Sequence, residues 1–530
     1  MEEHILKLTV LESTDIHGFV FPVNYANNKR KELGLGKIAT IIKEERKNNK
    51  NLILIDNGDI LQGTPLTYYY AKINDEGINP LIKVLNLLKY DCAVVGNHEF
   101  NYGKKLLFEG VKSSKFPWLS ANIIDEKTGE TLFGKPYIIK EFSIKDKGLK
   151  VGILGLTTQY IPNWENASNI SGIKFLSAVE EGEKWIKILR EQEKVDVLIV
   201  SYHGGFERDL DNGEPSEKLT GENEGYKLCM QYPEIDVLLT GHQHRVIENK
   251  IINGVLVLQP GSYGQYLGKI NISLKYENGW KIVDKNSELI LVKDYKEDLE
   301  ILESIKSYED NTQKWLDTSI GEVEGDMTIK DPMEVRLKDH ALIEFLNKVQ
   351  MENGNVDISS TSLFDNSAKG FNGKITMRDI VSNYIYPNTL KVLRVKGEDI
   401  KEALERSACY FQQYEGGDIK VSKDFTNIKI QHYNYDMWEG INYKLDISKP
   451  IGSRVVELYY KGKPVEMHKD YDVVMNNYRA SGGGEYTMFK NRPIIKDIPI
   501  DMAELIANYI LERRVIKAEV DNNWEVVTSQ

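Results

Sequence analysis

Six apolar runs in the first half of the chain each end in polar residues: LKLTVLEST (6–14), NLILIDNGD (51–59), DCAVVGNHE (91–99), KVGILGLTT (150–158), DVLIVSYHGG (196–205) and DVLLTGHQH (236–244). Their apolar positions are nearly continuous and their lengths are those of strands, so the pattern predicts buried strands. Helical stretches lie between several of them, at 35–47, 80–89 and 178–191. Strands and helices in alternation predict a layered α/β domain. In such domains chemistry collects at the carboxyl ends of the strands. Every run except KVGILGLTT leads directly into Asp, His or Asn.

The pattern changes after about residue 295. Residues 296–319 are charged, with apolar positions at Leu299, Leu302, Ile305 and Trp315, and predict a linker helix. From 320 to 530 helix and strand character mix. Helices are expected at 341–349 and 397–410, and a strand-rich stretch runs to about Asn477. The expected organisation is a domain over 1–295, a linker over 296–319 and a second, α+β domain over 320–530. At 530 residues the chain is too long for a single core.

Composition narrows the function. A formal net charge of −12 argues against a protein that holds polymeric nucleic acid by its phosphates. Small nucleotides remain open, because a bound metal reverses the local field. The three cysteines, Cys92, Cys229 and Cys409, are far apart and form neither a disulfide framework nor a thiolate metal site. No run approaches the length of a membrane span, and the first residues carry no export signal. These features lead us to expect a cytoplasmic monomer with no membrane partner. An exported mature chain is the alternative.

Five of the nine histidines fall in the polar ends of these runs. The blocks are TDIHG (Asp15, His17), DNGD (Asp59), GNHEF (Asn97, His98), SYHGG (His203) and GHQH (His242, His244). Residues two apart at a strand end are expected to point the same way, since side chains alternate with period two. Carboxylate, imidazole and amide oxygen without thiolate favour a catalytic divalent ion such as Mn²⁺, Zn²⁺ or Fe over a structural zinc. Leaving His98 aside, seven ligands give two metals four each only if one bridges, and Asp59 can share its two oxygens.

The five blocks resemble the calcineurin-like metallophosphoesterase superfamily, and nearly the whole chain resembles the 5′-nucleotidase family. The similarity is greatest to its 2′,3′-cyclic-nucleotide 2′-phosphodiesterase/3′-nucleotidase branch. That resemblance implies a four-layer α/β/β/α domain holding two divalent metals (Mn, Zn, Co or Fe). One would be held by Asp15, His17, Asp59 and His244, the other by Asp59, Asn97, His203 and His242. His98 would stabilise transition-state charge or protonate the leaving oxygen. In simple 5′-nucleotidases of the family an Asp follows that histidine by three residues, whereas here Asn101 does, as in the cyclic-phosphodiesterase branch.

The family's second domain binds a base between two aromatic rings. The resemblance places these at Tyr386, with Asn388 as a polar partner, and at Tyr478 in NNYRASGGG. A strand through Tyr478 would point Asn477 and Arg479 away from the ring, and Arg479 is expected to form a structural ion pair. Gly482, Gly483 and Gly484 are expected to give the ligand room. The two domains would meet over one cleft. The expected substrates are small nucleotides: 2′,3′-cyclic nucleotides opened at the 2′ bond, then 3′-nucleotides. A 5′-nucleotidase or nucleotide-sugar hydrolase is the alternative. A non-catalytic nucleotide-binding protein would require lost ligands, and all seven are present.

Overall fold

Strand Leu6–Ser13 has seven of its eight residues buried, which accounts for its unbroken apolar run. It pairs in parallel with Leu52–Asp56 and antiparallel with Tyr266–Tyr276. The computed structural model describes residues 5–144, 147–163, 165–217, 219–386, 388–427, 429–498 and 500–529. It divides into two compact units, Met1–Thr312 and Gln313–Gln530.

The first unit contains two six-stranded sheets. One runs Trp280–Leu291, Tyr266–Tyr276, Leu6–Ser13, Leu52–Asp56, Cys92–Val94, Trp118–Leu119. The other runs Val246–Ile252, Val255–Pro260, Val237–Thr240, Val197–His203, Lys147–Thr157, Tyr137–Ile144. Leu8, Val10, Ile53 and Ile55 of the first sheet form one buried cluster with Val151, Ile153, Val197 and Ile199 of the second. On the far side of the second sheet, Leu154, Leu156, Leu198 and Val200 pack with Val179 and Ile186 of helix Ala178–Lys187 and Leu228 of helix Gly225–Gln231. Helices Leu35–Asn48 and Pro80–Leu88 connect parallel neighbours of the first sheet. Right-handed crossovers put both on one face, opposite the shared core. The layers are therefore α/β/β/α. Each parallel strand delivers its carboxyl end to the same edge of its sheet, and the polar blocks sit there.

Local chemistry sets the helix limits. Asn79 caps Pro80–Leu88 by accepting from the N–H groups of Leu81 and Ile82, and Pro80 occupies the first helical position. The expected linker helix is two helices, Leu299–Ser304 and Lys306–Leu316, broken at Ile305. The Asp298 side chain caps the first, and its backbone N–H donates to Gly36 O at 2.8 Å, which ties that helix to the first unit.

The second unit mixes sheet and helix. Its five-stranded sheet runs Asp436–Glu439, Ile358–Ser362, Asp470–Asn476, Leu390–Lys396, Ile494–Ile498. Leu342, Leu346 and Val349 of helix Ala341–Gly354, Ile400 and Leu404 of Gly397–Ala408, and Ile506 of Met502–Arg513 share its core with Ile358, Val392 and Val474. Among the described residues no helix is long and apolar enough to cross a membrane.

Candidate metal centre and base site

The polar blocks lie in tight loops just past the strands. The first strand ends at Ser13, the second at Asp56 and the one before His242 at Thr240, while His203 closes its own strand. Asp15, His17, Asp59, His242 and His244 all adopt left-handed backbone, with φ of 50°, 49°, 57°, 66° and 57°. This corrects the alternation argument: left-handed turns aim the Asp15–His17 and His242–His244 pairs. Such a conformation costs a residue with a Cβ about 1 kcal/mol or more, and persists only where the surroundings over-determine it. Here Asp15 N donates to Gly58 O at 2.9 Å, His17 N to Asp59 O at 2.8 Å and Tyr263 N to Asp15 O at 2.7 Å. The loops also fit without slack. A Cβ on Gly96 would lie 2.3 Å from Asp59 Oδ1, and one on Gly241 would lie 2.6 Å from Asp15 Oδ2.

Six of the seven candidate ligands form two clusters, Asp15–His17–His244 and Asp59–His203–His242. In the first, His17 Nε2 lies 3.1 Å from His244 Nε2, and His244 Nε2 lies 3.3 Å from Asp15 Oδ1. In the second, His203 Nε2 lies 3.2 Å from Asp59 Oδ2. Asn97 joins it, with Oδ1 3.1 Å from His203 Nε2 and 2.8 Å from His242 Nδ1. Asp59 Oδ2 also lies 3.9 Å from His17 Nε2, so one oxygen faces both clusters. Its other oxygen accepts from the His98 backbone N–H at 2.8 Å. The carboxylate therefore presents a single oxygen to both clusters and does not divide its two between them.

The outer hydrogen bonds orient the imidazoles. His17 Nδ1 faces Gln62 O at 3.1 Å and His203 Nδ1 faces Asn57 O at 2.6 Å, so each donates there and turns Nε2 inward. His242 is turned the other way: Nε2 donates to Glu222 Oε1 at 2.9 Å and Nδ1 points inward. Acceptor then faces acceptor, between Asn97 Oδ1 and His242 Nδ1. Divalent cations relieve that repulsion, and the donor set fits them. Burial pushes the His17 pKa down to about 3, which keeps a neutral ligand. Burial would lower His203 too, but the Asp59 charge outweighs it and raises its pKa to about 10. For Asp59, burial is outweighed by His203 and His98, which hold its pKa well below the usual carboxylate range.

His98 stands beside the centre, with Nε2 4.0 Å from Asp59 Oδ2. Its Nδ1 lies 2.6 Å from Asn101 Oδ1, and Asn101 Nδ2 donates to Glu165 Oε2 at 2.6 Å. Because a carboxylate only accepts, Glu165 fixes which end of the Asn101 amide meets the histidine. A carboxylate thus stands behind the Asn101 amide. The sequence reading missed Glu165 and Glu222, which the fold brings in from distant loops without a motif to mark them. It also passed over Glu99 inside GNHEF. This buried carboxylate accepts four backbone N–H groups: Gly96 at 2.6 Å, Asp59 at 2.9 Å, Ile60 at 2.7 Å and Leu61 at 3.1 Å. A carboxylate directly after Asn97 and His98, in a segment bounded by Gly96 and Gly103, was the available signal.

In the second unit the strand Asp470–Asn476 stops before Tyr478, contrary to the expected strand. Asn476 caps a short helix, Asn477–Ala480, by accepting from Arg479 N at 2.8 Å. Thr389 and Asn477 exchange two hydrogen bonds, at 2.9 and 3.0 Å, which sets Asn388 beside the Tyr478 segment. Tyr386 lies edge-on to Tyr433 and Phe364, with centroids 6.1 and 5.7 Å apart. Arg479 is buried in a two-pronged ion pair with Asp436, at 2.7 and 2.8 Å. The glycines are explained by the protein's own packing. A Cβ on Gly483 would lie 2.6 Å from the Tyr478 ring, and one on Gly484 would lie 2.4 Å from Arg479 Nη1. Gly482 has φ of 92° and turns the chain.

Residues 8–246 match the calcineurin-like phosphoesterase family, and residues 319–491 match the 5′-nucleotidase C-terminal domain. The chain is 30% identical to the 2′,3′-cyclic-nucleotide 2′-phosphodiesterase/3′-nucleotidase of Salmonella typhimurium, over 98% of this chain and 88% of that protein. It is 29% identical to the trifunctional nucleotide phosphoesterase protein YfkN of Bacillus subtilis, over 98% of this chain but 39% of that longer protein. Among solved structures, a candidate 5′-nucleotidase of Staphylococcus aureus in complex with alpha-ketoglutarate superposes with a TM-score of 0.90 at 34% identity, covering 99% of this chain and 100% of that one.

Replacing Glu99 tests how the loops are held. Glu99→Ala leaves four N–H groups without their acceptor, and unfolding should become easier by more than about 3 kcal/mol. Tightly bound metal, counted by elemental mass spectrometry, should fall well below that of the parent protein. Unchanged stability and metal content would contradict the role given to Glu99.

Proposed function

The chain belongs to the 5′-nucleotidase family, with a calcineurin-like metallophosphoesterase domain followed by a 5′-nucleotidase C-terminal domain, and we propose that it opens 2′,3′-cyclic nucleotides at the 2′ bond and then hydrolyses the 3′-nucleotides formed. The observation that carries this reading is the pair of ligand clusters facing one oxygen of Asp59, 3.9 Å from His17 and 3.2 Å from His203. Both steps act on a phosphate ester of the same ribose, so one centre serves both.

In this reading Asp15, His17 and His244 would hold one divalent ion and Asn97, His203 and His242 the other, with Asp59 available to both. Such a pair, when bound, polarises the phosphoryl oxygens and makes hydroxide available at neutral pH. The protein's own contribution is placement. Asn101 accepts from His98 Nδ1, which turns Nε2 toward the leaving ribose oxygen, and the imidazolium form, with a proton on each nitrogen, would give that oxygen the Nε2 proton or offset its charge. Glu165 holds Asn101 in the orientation that requires. Tyr386 and Tyr478 stack on the base, with Asn388 as a polar partner. Stacking contributes roughly 1–3 kcal/mol per base and tolerates any base.

Similarity to the Staphylococcus aureus structure favours a second reading, hydrolysis of 5′-nucleotides. Product analysis separates the two. With Mn²⁺ or Co²⁺, 2′,3′-cAMP should yield 3′-AMP and then adenosine, faster than AMP yields adenosine. Accumulation of 2′-AMP would overturn the regiochemistry, and a strong preference for AMP would favour the second reading. Tyr478→Ala should raise KM by about five- to 150-fold, as expected from 1–3 kcal/mol of stacking, with kcat changed less. A loss confined to kcat would exclude a base-holding role.

A further inference from the structure

We propose that the second unit contains a separate Ca²⁺ site, formed by Asp339, Glu344, Glu439 and Asp521 with the side-chain oxygen of Asn523. Ligand oxygens of Asp339, Glu344 and Asp521 lie within 4.8 Å of one another. The contributing residues come from three parts of the chain. Asp339 precedes helix Ala341–Gly354, Glu344 lies in its first turn, Glu439 ends strand Asp436–Glu439, and Asp521–Asn523 follow strand Val515–Lys517. Acidic side chains drawn together from such distances need something that answers their charge.

The hydrogen bonds show how each carboxylate is used. Asp339 Oδ2 accepts from Asn522 N at 3.0 Å, Glu344 Oε2 from Asp521 N at 2.8 Å and Asp521 Oδ1 from Asn523 N at 3.1 Å. Glu439 Oε2 accepts from Asn523 Nδ2 at 2.9 Å. One oxygen of each carboxylate thus fastens residues 521–523 in place. The other oxygens of Asp339 and Glu439, and Asn523 Oδ1, are buried without a hydrogen-bond partner. Asp339, Glu439 and Asn523 are 7%, 2% and 6% exposed, so water does not readily compensate these atoms. Lys348 pairs with Glu344 Oε1 at 2.5 Å and with Glu519 at 3.1 Å, and so answers the rim of the cluster. Burial first, then the charges of Asp339, Asp521 and Glu344, push the Glu439 pKa up to about 9. Burial likewise pushes Asp339 up to about 6, with Glu344 and Asp521 adding to it and the Asn522 N–H opposing.

The donor set is carboxylate and amide oxygen, with no imidazole. That is the preference of a hard ion taking many oxygen ligands, and it differs from the nitrogen-rich centre of the first unit. Asp521 is exposed and gives the ion a way in. Bound there, Ca²⁺ would fasten the segment beyond Lys517 to the helix and to the sheet.

The full-length protein, first saturated with Mn²⁺, tests this by ⁴⁵Ca²⁺ equilibrium dialysis and thermal unfolding. The parent protein and Asp59→Asn should each bind one Ca²⁺ per chain and melt several degrees higher when it is added. Glu439→Gln and Asp521→Asn should bind it at least tenfold more weakly and lose the shift. Asp521→Asn changes an exposed side chain and keeps the test valid if Glu439→Gln does not fold. Equal Ca²⁺ binding in parent and Asp521→Asn proteins, loss of binding in Asp59→Asn, or no binding at millimolar Ca²⁺ would each overturn the proposal. Failure here would leave the reading of the first unit untouched.

Discussion

The Asp59 carboxylate is the junction of the first unit. One oxygen accepts from the backbone of His98, and the other faces His17 on one side and His203 on the other. Its own N–H is held by Glu99, and its carbonyl accepts from His17. A shift of this one residue would move both ligand clusters and the histidine beside them together. The surrounding glycines leave it little alternative, since a Cβ on Gly96 would occupy the space of its Oδ1. Left-handed backbone at five candidate ligands is a local cost met by the two sheets beneath them, whose shared core positions the loops.

Much of this was legible in the chain. The near-continuous apolar runs marked the parallel strands because both their faces are covered, and the polar ends of those runs contained the residues that cluster. The reason they converge was not legible. Period-two alternation applies within a strand, and the Asp15–His17 and His242–His244 pairs lie beyond one, where left-handed turns decide direction. Glu222 and Glu165 act across distances that no local pattern encodes. In the second unit the glycine run suggested room for a ligand, yet Gly483 and Gly484 lie against Tyr478 and Arg479. Glycine density signals close approach without saying what approaches.

The two units use acidic residues differently. In the first, carboxylates alternate with imidazoles whose outer nitrogens are tied to carbonyls or to Glu222, an arrangement suited to ions that do chemistry. In the second, carboxylates gather without imidazole around a segment they also fasten by hydrogen bonds, an arrangement suited to an ion that holds structure. The histidine beside the first centre adds a further distinction. Its partner is an amide with a carboxylate behind it, so the orientation of the ring is set while the charge is kept one residue away.

The central claim, that one oxygen of Asp59 joins two metal ions, is tested most directly by electron paramagnetic resonance of the protein loaded with Mn²⁺. Two manganese ions sharing a carboxylate oxygen should give the broad, many-line spectrum of an exchange-coupled pair at two Mn²⁺ per chain. Six-line signals from isolated ions, unchanged as the second equivalent is added, would contradict it.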